Sequence, residues 1–274
     1  MVSLIDGDDG LPAAEVGIWA KTKHDYLRRY VDITRGVRAK WTDPGKAGAT
    51  YIDPYCGPGR ARIKGTNTFI EGSAVVAWQM SVACHVPFSE IHIADLDPTC
   101  VKACEVRLKA LGAPVVSHVG SALATVRQTV SALNPHDLHF AFLDPFNLEA
   151  LNFEILRALA KLDRIDILVH LSQMDLQRNF DRHTAADAKA FDTFVPGWRD
   201  LLPPGSTRSQ RPAVWQMWSE MVGSLGVWRS PTSKLITGKT RQPLYWLAML
   251  AKHELPHAFW RVASNPERQG NFDF

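Results

Sequence analysis

From Trp19 onward the positions Tyr26, Leu27, Tyr30, Val31, Thr34 and Val37 recur at steps of three and four, the spacing that puts side chains on one face of a helix. A break at Pro44-Gly45-Lys46 then leads into a short β run, Ala49-Thr50-Tyr51-Ile52, which ends in Asp53. A helix is predicted from about Gly72. Thereafter strand-like runs at 91–94, 115–119, 138–143 and 165–171 alternate with helical stretches. Strands separated by helices predict an α/β fold, a Rossmann-like, doubly wound and mostly parallel sheet.

Two regions leave this rhythm. Residues 1 to about 15 carry Gly, Asp and Pro without periodicity and read as a flexible leader with no chemical role. Residues from about 179 to 230 hold Pro196-Gly197, Pro203-Pro204-Gly205 and the tryptophans Trp215, Trp218 and Trp228, which predicts a mostly helical insertion or cap. Within it Val214, Met217, Met221 and Leu225 fall near helical spacing and suit core packing. The run 244–250 reads as a late strand, and 258–263 fits strand or helix. The 274 residues match a single domain over 16–274 behind that leader.

Composition narrows the class. Hydrophobic residues at 46% and charged residues at 22% argue against global disorder. No apolar run approaches the roughly 20 residues of a membrane helix, and the first residues lack a basic region followed by an apolar one, so a cytoplasmic protein without membrane attachment is expected. The four cysteines Cys56, Cys84, Cys100 and Cys104 do not form a disulfide framework and are expected to be reduced. Cys100 and Cys104 lack spaced His or Cys companions, so no metal site is expected. A net charge of +3 does not mark a nucleic-acid binder. Between Trp19 and Trp41, however, Lys21, Lys23, Arg28, Arg29, Arg35, Arg38 and Lys40 stand against only Asp25 and Asp32. That positive helix face is either solvated or a contact for DNA or RNA phosphates.

Three motifs carry chemistry. The first is Asp53-Pro54-Tyr55-Cys56-Gly57-Pro58-Gly59, where glycines at 57 and 59 permit positive φ and let the backbone approach a ligand, as an adenosyl cofactor requires. The second is Ala94-Asp95-Leu96-Asp97-Pro98. Asp95 ends the predicted second strand, where such folds place an acid on the ribose hydroxyls, while Asp97 before Pro98 suits a helix cap. The third is Leu143-Asp144-Pro145-Phe146-Asn147, at the end of the fourth strand beside the first, where ligands of open α/β sheets bind. Gly57-Pro58-Gly59 lacks the third glycine of the dinucleotide pattern, which ranks an NAD enzyme last, and no Lys-Ser or Lys-Thr follows to make a P-loop.

In order and spacing these motifs resemble the three-Cys-motif partner protein (TcmP) family of bacterial and phage-associated methyltransferase-like proteins. The resemblance covers most of residues 16–265 and rests on Gly17-Ile18-Trp19 before a helix with Lys23 and Tyr30, on Tyr51 to Gly59, on Glu71-Gly72-Ser73, on Ala94 to Asp97, on Phe142 to Phe146 and on Lys252-His253. It implies a class I methyltransferase fold and a genomic partner of radical-SAM type carrying a three-cysteine motif. The third-strand acid that often meets the adenine amine in such folds is replaced here by Ser121 after Gly120.

The resulting expectation is an S-adenosyl-L-methionine-dependent methyltransferase. Asp53, Tyr55, Gly57, Gly59, Asp95 and Ser121 are assigned to the cofactor, and Asp144, Pro145 and Phe146 to the acceptor. The Asp144-Pro145-Phe146 turn is similar to the Asp/Asn-Pro-Pro-aromatic motif of enzymes acting on exocyclic amines, from which it departs in running directly from Pro145 into Phe146, and it suggests a nucleic-acid base amine as acceptor. The alternative is a catalytically silent Rossmann-like scaffold for the three-Cys-motif protein.

Overall fold

The structure is a computed structural model, and it describes residues 3–42, 46–185, 187–238 and 240–265. The expected break at Pro44-Gly45 lies outside the described residues.

The chain begins with strands β1 (Leu4–Asp6) and β2 (Pro12–Val16), then helices α1 (Trp19–Ile33) and α2 (Arg35–Thr42). Next come β3 (Ala49–Asp53), β4 (Arg60–Ile63), β5 (Phe69–Glu71), α3 (Ser73–Ala83), β6 (Glu90–Asp95) and α4 (Pro98–Ala110). The middle holds β7 (Val115–Val119), α5 (Ala122–Ala132), β8 (Leu138–Leu143), α6 (Phe153–Leu159) and β9 (Arg164–Leu171). Helices α7 (Gln173–His183), α8 (Ala190–Phe194), α9 (Trp198–Leu201) and α10 (Thr207–Ser224) precede β10 (Trp228–Thr237), β11 (Pro243–Ala251) and α11 (Glu254–Ala263).

The main sheet runs β10-β11-β9-β8-β3-β6-β7. The pairs β3/β6, β6/β7, β3/β8 and β8/β9 are parallel, while β11 is antiparallel to both β9 and β10. Strand order reverses between β3 and β8, so the chain leaves these neighbouring strands toward opposite sides and opens a crevice at their carboxyl ends. One face packs under α1, α3, α4 and α11 through Tyr30, Val75, Leu108 and Trp260. The other packs against α5 to α10 through Val126, Leu156, Phe180, Phe194 and Trp218. The apolar runs of β3, β8 and β9 follow from burial on both faces.

Three expectations change and one open alternative is resolved. Residues 4–6 and 12–16, expected as part of a flexible leader, pair as a hairpin, and β2 extends β4 and β5 into a second, four-stranded sheet. Buried Arg107 of α4 secures them: its guanidinium bonds both Asp9 carboxylate oxygens at 2.7 Å and donates to the carbonyl of Pro12 at 2.8 Å and to that of Pro58. The leader therefore buttresses the glycine loop. Second, the predicted first helix divides at Thr34, whose hydroxyl returns to the Tyr30 carbonyl at 2.8 Å. Third, β4, β5 and β10 were not anticipated. Fourth, residues 258–263 lie within a helix. Among the described residues no helix is long and apolar enough to cross a membrane.

Candidate cofactor and acceptor site

At the end of β3, the Asp53 side chain is wholly buried. It accepts hydrogen bonds from the Ser73 hydroxyl at 2.6 Å, the Tyr51 hydroxyl at 3.2 Å and the Tyr55 amide at 3.2 Å. Burial pushes its carboxyl up to about 7 against those donors. Rather than facing outward toward a ligand, Asp53 clamps the loop to the start of α3. Tyr55 also points away, donating its hydroxyl to the Ala150 carbonyl at 2.6 Å and tying the loop to the segment after β8.

The two glycines of the loop serve different ends. Gly57 has φ +55°, and a Cβ there would meet nothing within 4 Å, which leaves its backbone open to an incoming group. Gly59, at φ +80°, has no such room, because a Cβ would lie 3.0 Å from Cys104 Sγ and 3.1 Å from Cys104 Cα. Cys56 is buried, and burial pushes its thiol up, which leaves it a packing residue.

Half-buried Asp95, at the end of β6, accepts from the Gly57 amide at 3.1 Å and from the Asp97 amide at 3.0 Å. Its carboxylate thus joins the glycine turn to the second strand's end. Asp97 caps α4 by accepting from the Thr99 amide at 2.8 Å. Ser121 caps α5, its hydroxyl accepting from the Ala124 amide at 3.4 Å, beside Gly120, whose amide donates to the Asp95 carbonyl at 3.0 Å.

Asp144, just beyond β8, sits between two partners that the sequence motifs did not assign to it, Lys23 and His170. Lys23 Nζ of α1 pairs with its Oδ2, and His170 Nδ1 of β9 lies 3.0 Å from its Oδ1. Burial pushes the Asp144 carboxyl up, but the Lys23 charge and the His170 hydrogen bond outweigh it and hold the group well below the usual carboxylate range. His170 Nδ1 is also 3.0 Å from the Pro145 carbonyl, and its ring stands edge-on to Tyr245 at 4.1 Å. The Tyr245 hydroxyl in turn donates to the Trp19 carbonyl at 3.2 Å. Beyond this network Phe146 is 72% exposed, and on the other flank of the glycine loop Leu96 is 70% exposed. Large apolar side chains exposed at this edge of the sheet suit a ligand or partner that covers them.

The structure therefore gathers Gly57, Gly59, Asp95, Asp144, Pro145 and Phe146 at the carboxyl ends of β3, β6 and β8, with Asp53 and Tyr55 behind them as braces. Lys23 and His170 join them through Asp144, and Leu96 follows Asp95. His170 left a sequence signal as a histidine near the end of the strand next to β8, and Lys23 stood among the residues that carry the family resemblance. The positive helix face is weaker than its sequence suggests. Arg28 pairs with Asp25 at 2.9 Å and Arg35 with Asp32 at 2.5 Å. Arg38 is buried and donates to the carbonyls of Val86 and Val31 at 2.6 and 2.9 Å, so it cannot meet phosphates.

No family model matches the chain, and no curated protein matches it. Solved structures do. Protein LPL1258 from Legionella pneumophila str. Philadelphia 1 overlays with a TM-score of 0.53 at 9% identity, covering 88% of this chain and 90% of that one. An O-methyltransferase from Bacillus cereus in complex with SAH gives 0.49 at 14% identity, with 84% and 81% covered. The O-methyltransferase TomG from Streptomyces achromogenes in complex with SAM gives 0.49 at 14%, with 85% and 80% covered. The strand order, with antiparallel β11 inserted between β9 and β10, and the likeness to LPL1258 show the fold: a Rossmann-like, doubly wound, mostly parallel α/β sheet.

Proposed function

We propose that the protein is an S-adenosyl-L-methionine-dependent methyltransferase. The observation that carries this reading is the Gly57 turn after β3, whose left-handed, uncovered backbone is bonded to Asp95 at the end of β6, on the same carboxyl-end edge of the sheet as Phe146 after β8. The residues present fit the cofactor. Asp95 retains lone pairs for ribose hydroxyls, Leu96 offers an apolar surface to a purine, and Gly57 leaves room for close approach. When bound, S-adenosylmethionine supplies a methyl group carried on a sulfonium.

The chain's own part is then chiefly positioning, since displacement needs the acceptor held in line at near-attack distance. Phe146 offers a stacking face. Asp144 stays anionic and fixes Lys23 and His170 at the rim, while the remaining lone pairs of its oxygens suit the hydrogens of an acceptor amine. A nucleic-acid base amine is the acceptor that this arrangement and the aromatic platform favour. Calorimetry with S-adenosylmethionine and with NAD tests the cofactor. S-adenosylmethionine is expected to bind, NAD to fail, and Gly57→Val to abolish binding; NAD binding, or indifference to Gly57→Val, overturns the assignment.

A second reading is a silent scaffold for a three-Cys-motif protein of radical-SAM type in a bacterial or phage-associated, cytoplasmic setting. It is favoured by the closure of Asp144 between Lys23 and His170, which a purely structural ion pair also explains. Stable co-purification with that partner, together with no methyl transfer to nucleic acid, would select it.

A further inference from the structure

A second opening lies at the other end of the sheet, against the first residues of β3, β8 and β9, under α1, α2 and α11. Along β3 the three residues from lining Thr50 to Asp53 carry the chain about 10 Å from it to the start of the glycine loop. Its volume is about 230 Å³, larger than an engineered apolar cavity of about 150 Å³ that takes up benzene. Tyr30, Trp41, Phe140 and Phe259 supply aromatic wall, and half-exposed Leu255 stands at its edge.

One acid faces this apolar space. Asp166 of β9 accepts from the Tyr30 hydroxyl at 2.8 Å through Oδ2, and its other oxygen takes no bond from any described residue. Burial pushes its carboxyl up to about 7, the Tyr30 hydroxyl opposes that, and no basic side chain contributes. The arginines on the wall are engaged elsewhere. Arg38 is held by the Val86 and Val31 carbonyls, while Arg164 lies 4.6 Å over the Trp41 ring and donates to the His136 carbonyl. A carboxyl kept among aromatic rings without a counter-ion is costly unless something else compensates it, and aromatic walls attract cations as well.

We propose that this cavity is a second ligand site, independent of the glycine loop, which takes a small planar amine with its ring against the aromatic walls and its ammonium on Asp166. His139 of β8 and His253 before α11 also line the opening, and burial holds the His139 imidazole below its ordinary value; the ligand needs Asp166 ionised, so affinity rises as pH rises through about 7. The site goes beyond the methyltransferase reading and stands whether or not that reading does.

Tryptamine and its uncharged isostere 3-propylindole, titrated by calorimetry into the full chain, test it. Tryptamine is expected to bind at least tenfold more tightly than 3-propylindole, and Asp166→Asn is expected to remove that difference. Leu255→Trp, which fills the edge of the opening from an exposed position and leaves Asp166 untouched, is expected to exclude both probes even where Asp166→Asn folds poorly. Gly57→Val is expected to leave tryptamine binding unchanged. Equal affinities for the two probes, no binding of either, tryptamine binding that survives Leu255→Trp, or its loss in Gly57→Val each overturns the proposal.

Discussion

The amide of Gly72 donates to the carbonyl of Gly59 at 2.8 Å, and a Cβ on Gly72 would stand 2.8 Å from both Gly59 Cα and Gly59 C. The glycine loop and the start of α3 are therefore in backbone contact, with no side chain to give way. Gly72→Ala is expected to destabilise the protein by about 1–3 kcal/mol through overpacking. It should also weaken cofactor binding, because the loop must shift. Denaturant unfolding and calorimetry on the same variant check both; unchanged stability would mean that the loop moves freely.

Lys23 and Asp144 are both largely buried, at 11% and 18% side-chain exposure. Lys23→Met removes one partner of the pair and leaves a carboxylate short of its cation, which is expected to cost about 3–5 kcal/mol. The folded-state carboxyl of Asp144 lies below its ordinary 3.8, so its contribution is complete above about pH 4 and is lost as pH falls further. Acid unfolding of the parent should show that loss below pH 4, and Lys23→Met should shrink it.

Asp53 and Asp166 behave oppositely. Both carboxyls stand at about 7 when folded against 3.8, so the folded state holds protons that the unfolded chain has released. Stability therefore falls as pH rises from about 4 to 7, by up to about 1.4 kcal/mol per pH unit for each group. Asp166→Asn, which stays neutral throughout, is expected to flatten its share of that slope. A slope identical to the parent's would show that Asp166 is not a buried acid.

Phe146, at 72% exposure, supports little packing. Phe146→Ala is expected to leave stability within about 0.5 kcal/mol and S-adenosylmethionine affinity within a few-fold, while methyl transfer drops sharply. Comparing unfolding, calorimetry and transfer assays separates acceptor holding from structure; full activity in the variant would remove Phe146 from the site.

Nucleic acid is testable on the rim of α1. Lys21 and Arg28 are cations of α1 that reach its surface, whereas Arg38 is buried. Reversing Lys21 and Arg28 to Glu is expected to flatten the slope of log affinity against log salt by about two units for oligonucleotides of any sequence, whereas Arg38→Ala should act on folding alone. Fluorescence anisotropy at several salt concentrations decides it, and no binding by the parent at low salt would remove nucleic acid as acceptor.

The sequence by itself determined the alternation of strands and helices, the switch point after Asp53 and the three loops at Gly57, Asp95 and Asp144. It could do so because apolar periodicity, glycine and proline act over a few residues. The hairpin of residues 4–16 stayed hidden because its strands are too short for a pattern and are held by Arg107, about a hundred positions away. Only the tertiary structure decided which acids stay open at the surface. Asp53 and Asp95 each end a strand and read alike, yet Asp53 is sealed under Ser73 and Tyr51 while Asp95 stays half-exposed beside Gly57. Lys23 and His170 reach Asp144 from 121 and 26 positions away in the sequence. Their convergence is a product of packing helix α1 and strand β9 around β8, which no local pattern encodes.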